Sequence, residues 1–338
     1  MYKYALFGMS ALAAGTAGAS AQTLDEVMAR GELNCGVSTG LAGFSAPDAD
    51  GDWQGFDVDF CRAIAAAVFG DADAVNYTPL SPERRFDPLG SGEIDVLSRN
   101  TTWTFTRDMD LGYRFVGTNY YDGQGFIVPT DLGVESALEL DGATVCIQTG
   151  TTTELNLSDF FSANDMSYEP NPVETNAEAQ EQYLAGSCDT YTTDRSGLAA
   201  TRASFENPDD HMVLPETISK EPLGPVVRKG DEDWAGIVQW TLFALITAEE
   251  LDVTSENVEE IAEEGSDVPE VERLVGRSGD FGELIGLEND WAVNAIAQVG
   301  NYGEIFDRHI GVDTPIGIER GLNAQYDNGG ILYSPPFR

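Results

Sequence analysis

Residues 94–107 read Ile94-Asp95-Val96-Leu97-Ser98-Arg99-Asn100-Thr101-Thr102-Trp103-Thr104-Phe105-Thr106-Arg107. Ile94, Val96 and Leu97 have the character of a short buried strand. From Ser98 onward the chain offers hydroxyls, one amide and two guanidiniums with hardly an aliphatic side chain, which is the composition of a lining and not of a core. The whole chain carries 58 acidic and only 18 basic residues. Arg84, Arg85, Arg99 and Arg107 nevertheless crowd this segment, so scarce positive charge is concentrated beside a polar loop. A small molecule bearing a carboxylate suits such a loop, because guanidinium meets carboxylate through two parallel charge-assisted hydrogen bonds. The competing reading is that these arginines only pair with neighbouring Asp and Glu.

Upstream, residues 24–30 read as a short amphipathic helix and 33–37 as the first strand. Residues 38–44 form a glycine-bearing loop in which Leu41 or Phe44 can wall one side of a ligand. An ordinary strand-to-hairpin turn accounts for the same residues. A helical stripe runs over 56–69 and stops at Gly70; a strand at 74–80 and a short helix at 82–89 lead into the Ile94 strand. This alternation is that of an α/β sheet, whose ligands sit at the carboxyl ends of the strands. The loops 38–44 and 98–107 both lie at such ends.

Downstream the rhythm starts again, with strands at 126–128 and 143–148, a helix from 151 through Phe161, a helix at 177–185 and a strand at 188–192. Thr151 and Glu154 have the spacing of a capping box, so the free N–H groups around Thr151 and Thr152 make an anion seat, or simply a capped helix end. Asp194 is an acid at a strand's carboxyl end, where a cation is wanted or where solvent serves equally. Residues 223–229 look like a return strand between two lobes. Helices are expected at 234–248, 257–264, 269–275 and 290–310, with a Gly- and Pro-rich end after them.

The first 21 residues have the layout of a secretory signal peptide cut after Ala21, which predicts a soluble periplasmic protein with chain enough for two domains. In that oxidising compartment Cys35, Cys61, Cys146 and Cys188 are expected to form disulfides. Three pairings are possible; Cys35–Cys61 with Cys146–Cys188 keeps each bond inside one lobe. A net charge of −40 argues against nucleic acid and anionic membrane as partners. Asp48, Asp50 and Asp52 have some look of a calcium loop, but its glycine and its closing glutamate are misplaced, so a hairpin turn is the better reading. No cofactor or metal is called for. His211 and His309 stand outside the predicted cleft loops, and no catalytic spacing emerges.

Gly55-Phe56-Asp57-Val58-Asp59, Gly92-Glu93-Ile94-Asp95 and Thr104-x-x-Arg107 together resemble the periplasmic solute-binding proteins of polar amino acid ABC transporters. The strings 98–104, 148–156 and 300–306 are similar to the branch with a long C-terminal extension, which binds general L-amino acids or glutamate, glutamine, aspartate and asparagine. The resemblance implies a two-lobed type II periplasmic binding protein, a Venus flytrap whose lobes are joined by two crossing strands and close on a ligand. Lobe 1 would comprise 22–122 and 228–338, and lobe 2 residues 123–227 with the hinge strands. Arg107 and Thr102 would hold the ligand α-carboxylate with Thr152, while the Asn100 carbonyl and Asp194 take the α-ammonium. Leu41 stands where many relatives have an aromatic ring, which leaves stacking to Phe44. Arg99 stands where relatives often have serine, and Arg99 or Arg84 would read a distal carboxylate or amide. A monomer partnered by a membrane permease is expected. The alternatives are a prephenate- or arogenate-type dehydratase on the same fold, or a ligand-presenting sensor.

Overall fold

Two five-stranded sheets, bridged by a pair of crossing strands, organise the chain. The computed structural model describes residues 23–338; the expected signal peptide lies outside the described residues. Helix α1 (Thr23–Arg30) precedes β1 (Leu33–Ser38), a hairpin of β2 (Ala46–Pro47) and β3 (Trp53–Gln54), and α2 (Phe56–Phe69). The hairpin turns on Asp48, whose carboxylate accepts from the N–H groups of Asp50 and Asp52 at 2.9 and 3.0 Å and from the Gln54 amide at 2.8 Å. This is the turn chemistry of an aspartate. Next come β4 (Val75–Leu80), α3 (Phe86–Ser91), β5 (Val96–Leu97), α4 (Phe105–Met109) and β6 (Tyr113–Phe115).

Strand β7 (Tyr120–Asp122) crosses to the second half. There follow β8 (Gln124–Pro129), β9 (Ala143–Gln148), α5 (Thr152–Ala163), β10 (Tyr168–Val173), α6 (Asn176–Leu184), β11 (Thr190–Asp194), α7 (Arg195–Ala203) and β12 (His211–Val213). Strand β13 (Glu221–Leu223) returns antiparallel beside β7, pairing Glu221 with Asp122 and Leu223 with Tyr120. Then come β14 (Val226–Arg228), α8 (Glu232–Glu250), α9 (Val258–Glu264), α10 (Pro269–Leu274), α11 (Trp291–Val299) and α12 (Tyr302–His309). The first sheet has the order β4-β1-β5-β14-β6 and the second β10-β9-β11-β8-β12. All three residues of β14 belong to the first sheet, so the boundary expected between 227 and 228 falls inside a strand of that sheet.

Several elements differ from the sequence reading. Strand β10 carries Pro170 and Pro172, which argue against a strand, yet it pairs only with β9 at the sheet edge, where missing N–H groups are tolerated. Helix α7 starts directly after Asp194 although Gly197 weakens its helical signal. The single helix expected over 290–310 is two, because Gly300 adopts φ 97° and Asn301 opens α12 with a capping box to Glu304.

The larger core lies in the first half, where α2, α8, α11 and α12 cover the sheet. Trp234 is fully buried there, and its indole N–H donates to the Asp95 carbonyl at 3.0 Å. The long C-terminal segment joins this core and also reaches the hinge, where Asn323 pairs with both backbone groups of Tyr121. Disulfides join Cys35 to Cys61 and Cys146 to Cys188, each tying a sheet to a neighbouring segment of its own half. No helix among the described residues is long and apolar enough to cross a membrane.

Candidate functional site

Between the two sheets lies a cavity of about 30 Å³. The first half contributes Pro82, Arg85, Arg99, Asn100 and Thr102; the second contributes Gln148, Thr151, Thr152, Thr153, Thr193 and Asp194. The strand β5 delivers the loop 98–102 at its carboxyl end, and β13 pins that loop, since Trp103 N–H donates to the Pro222 carbonyl at 2.8 Å and Gly224 N–H to the Thr101 carbonyl at 3.0 Å. Asn100 sits at φ 34°, a left-handed conformation that asparagine tolerates better than most residues.

Asp57, at the start of α2, holds the loop from beneath. Its carboxylate accepts from Asn100 N–H at 3.0 Å, and its carbonyl accepts from the Ser98 hydroxyl at 3.0 Å. Burial pushes the Asp57 carboxyl up to about 7, against the pull of the Asn100 N–H and the Arg99 guanidinium. A buried carboxyl of this kind holds its proton more tightly than an exposed one.

Arg99 and Arg85 are 4 % and 3 % exposed. No protein group accepts from Nε or Nη1 of Arg99, nor from Nε of Arg85. Burial lowers Arg99 to about 10, with Asp57 opposing the shift. It lowers Arg85 too, aided by the Arg107 and Arg99 charges. A buried guanidinium without an acceptor is unfavourable unless something anionic meets it.

Arg107 is buried just behind the cavity and is not among its walls. Its Nη1 donates to the Thr102 carbonyl at 2.9 Å, and its guanidinium lies over the Phe86 ring at 5.6 Å. Burial lowers it to about 10, opposed by Glu221 and Asp194. Across the gap, Thr151 caps α5 by accepting from Glu154 N–H at 3.3 Å and donates to the Gln148 carbonyl at 2.7 Å. The expected capping box is therefore half formed. Asp194 ends β11, buried, with its carboxyl well above the usual range because of burial and then the charges of Asp122 and Glu221.

Six of the expected residues thus meet at one cavity: Arg99, Asn100, Thr102, Thr151, Thr152 and Asp194. Four do not line it: Arg107 lies just behind, and Arg84, Leu41 and Phe44 are placed elsewhere. Arg84 is exposed in an outer groove with Asp87 and Glu174, because α3 turns the preceding residue pair so that Arg85 faces in. Leu41 is bridged to Ser45 and buried in the core. Phe44 is buried edge-on against Phe56 and Tyr120, so neither side chain walls the cavity. Sequence reasoning missed Arg85 as the inward partner and missed Glu221 altogether. For Arg85 the only signal was its membership of the arginine group; for Glu221 there was none.

Two α/β lobes, two crossing strands and a polar cleft between them define a type II periplasmic binding protein fold. The chain belongs to the bacterial extracellular solute-binding proteins, family 3, whose model matches residues 33–257. It is 58 % identical over 339 residues, spanning 100 % of both chains, to the glutamate/glutamine/aspartate/asparagine-binding protein BztA of Rhodobacter capsulatus. It is 56 % identical over 336 residues, 99 % of this chain and 98 % of the other, to the general L-amino acid-binding periplasmic protein AapJ of Rhizobium johnstonii. Among solved structures, an ABC transporter periplasmic binding protein from Brucella ovis with glutathione bound superposes with a TM-score of 0.91 at 53 % identity, over 94 % of this chain and 100 % of that one.

Proposed function

We propose that this protein captures free L-amino acids in the periplasm, with glutamate, glutamine, aspartate and asparagine as the core of its range, and delivers them to the permease of an ABC transporter. The observation that carries the reading is the cavity itself: buried Arg85 and Arg99 without protein acceptors face a helix start on one side and the acid Asp194 on the other. A zwitterion needs cationic and N–H donors for its carboxylate and an acid for its ammonium, since either charge buried alone costs several kcal/mol, roughly. In this reading Arg107 takes the α-carboxylate with the backbone N–H groups of Thr102 and Thr152, and Asp194 with the Asn100 carbonyl takes the ammonium. Arg99 and Arg85 remain for a distal carboxylate or amide. The names of the relatives support both the ligand class and the periplasmic location, following export by the segment 1–21.

The lobes in this reading are 22–122 with 228–338, and 123–227 with the hinge strands, except that β14 goes with the first. The protein acts as a monomer and does no chemistry. His211 bonds to the Tyr183 hydroxyl and His309 to Asp59, so neither imidazole is placed as the general acid that a dehydratase would need. The test is calorimetric titration of the mature protein with each of the twenty amino acids. Saturable one-to-one binding, tightest for the four named, is expected; no binding of any amino acid overturns the proposal.

A further inference from the structure

Glu221 lies on the crossing strand β13 and is 1 % exposed. Its Oε2 accepts from the hydroxyls of Thr102 at 2.6 Å and Thr152 at 2.8 Å. Its Oε1 accepts from the Asn156 amide at 2.7 Å and the Ser219 hydroxyl at 2.6 Å. A carboxylate taken out of water needs its lone pairs filled, and here each oxygen takes two donors. Those donors come from different bodies: Thr102 from the first lobe, Thr152 and Asn156 from one face of α5 in the second, where residues four apart stand together, and Ser219 from the lead-in to β13.

The strand that carries Glu221 is fastened to the first lobe through Pro222 and Gly224. Moving the second lobe away would therefore leave Glu221 with Thr102 and Ser219 and strip it of Thr152 and Asn156. Both lost bonds are to a carboxylate acceptor, the stronger kind. All four bonds are between protein groups alone.

We propose that Glu221 is a positioning residue that latches the two lobes together in the absence of ligand. The latch also fixes the polarity of two cavity residues. Each threonine hydroxyl has one proton, and with both protons directed at Glu221 the hydroxyls of Thr102 and Thr152 turn lone pairs, not donors, toward the cavity. A ligand carboxylate is then held by guanidinium and backbone N–H groups, while the hydroxyls suit a donor such as an ammonium. Closure without ligand raises the fraction of protein ready to retain a solute, and apparent affinity scales with that fraction.

The test reads the distance between spin labels, one at an exposed helix position of each lobe, in the ligand-free full-length mature protein. The wild type is expected to show a closed population. Glu221→Gln keeps the shape but turns an acceptor into a donor facing Asn156 and Ser219, and should cut the closed-to-open ratio at least about tenfold, the loss of one or more charge-assisted bonds. Asn156→Ala removes a second-lobe donor while leaving the buried carboxylate with its other three, and should give a smaller fall in the same direction; it decides the question if Glu221→Gln does not fold. A wild type wholly open without ligand, or closed fractions in the variants equal to the wild type, overturns the latch. Because no amino acid is added, failure of the ligand assignment leaves this measurement standing.

Discussion

Gly150 meets Glu83 across the cleft so closely that a Cβ on the glycine would stand 2.8 Å from the Glu83 Cα. Gly150 belongs to the loop before α5 and Glu83 to the segment before α3, so this contact exists only when the lobes are together. Gly150 also has φ 72°, a conformation costing an L-residue about 1–2 kcal/mol. The strain is present whether the cleft is open or shut, whereas the clash falls on closure alone. Gly150→Ala is therefore expected to lower the thermal midpoint modestly and to weaken amino acid binding by at least about tenfold, roughly 1.4 kcal/mol. Calorimetry beside a melting curve checks this, and an undiminished affinity would show that binding does not require this approach.

Arg84 and Arg85 are neighbours with opposite placements, one in an outer groove and one walling the cavity. Replacing Arg85 by alanine should weaken glutamate and aspartate by roughly 2–5 kcal/mol, the range for removing one partner of a buried charge pair, and should weaken neutral amino acids less. Arg84→Ala should leave both unchanged. Arg107→Ala should weaken all amino acids by a similar roughly 2–5 kcal/mol, because it serves the α-carboxylate common to them. Titrating the three variants with glutamate, glutamine and alanine separates these roles, and equal losses for Arg84→Ala and Arg85→Ala would remove the distinction.

Much of this arrangement was legible in the sequence, and the losses have physical causes. The lining character of 98–107 and the threonines before α5 were readable because they break the apolar pattern of their surroundings. Which arginine of the pair at 84 and 85 turns inward depends on where α3 begins, and the sequence pattern placed that start four residues early. Leu41 and Phe44 look equally suited to a wall or a core; the packing of Phe56 and Tyr120 decides for the core. Strand β10 was hidden by two prolines that only an edge strand accepts. Glu221 was invisible because its four donors come from segments up to 119 positions away.

The acids of the cleft make a pH signature. Asp57 is raised to about 7, chiefly by burial, and Asp194 is raised by burial and by the neighbouring acids Asp122 and Glu221. For a raised carboxyl the folded state holds a proton that the unfolded chain has released, so its contribution falls as pH rises from about 4 toward 7. The ligand-free protein should thus lose stability over that window, and Asp57→Asn should flatten the slope. Binding works in the opposite sense at Asp194: an ammonium placed beside it favours the anion, so a proton leaves when the ligand enters. Affinity should rise with pH as Asp194 gives up its proton, and calorimetry in buffers of different ionisation enthalpy should report proton release. Asp194→Asn should abolish the release and cost roughly 2–5 kcal/mol of affinity. A pH-independent affinity in the wild type would count against the acid's role.

Asn323 supports the hinge from the far C-terminal segment. Its Oδ1 accepts from Tyr121 N–H at 2.7 Å and its Nδ2 donates to the Tyr121 carbonyl at 3.1 Å, completing the outer edge of a two-stranded ribbon whose other edge is β13. Isolated two-stranded pairs are marginal on their own, so this side chain acts as a third strand at one position. Nearby, Arg320 fixes the segment by bonding to Glu249 and lying over the rings of Tyr302 and Phe306 at 5.2 and 4.8 Å. Asn323→Ala leaves two backbone groups of a half-buried residue without partners, at a cost of about 1–3 kcal/mol. Loss of amide-exchange protection at Tyr121 and a fall of a few degrees in the thermal midpoint are expected. Asn323 lies outside the cavity walls, so any change in affinity must come through the hinge and should be similar for every amino acid bound. Protection at Tyr121 equal to that of the wild type would mean that the extension covers the first lobe without steadying the crossing strands.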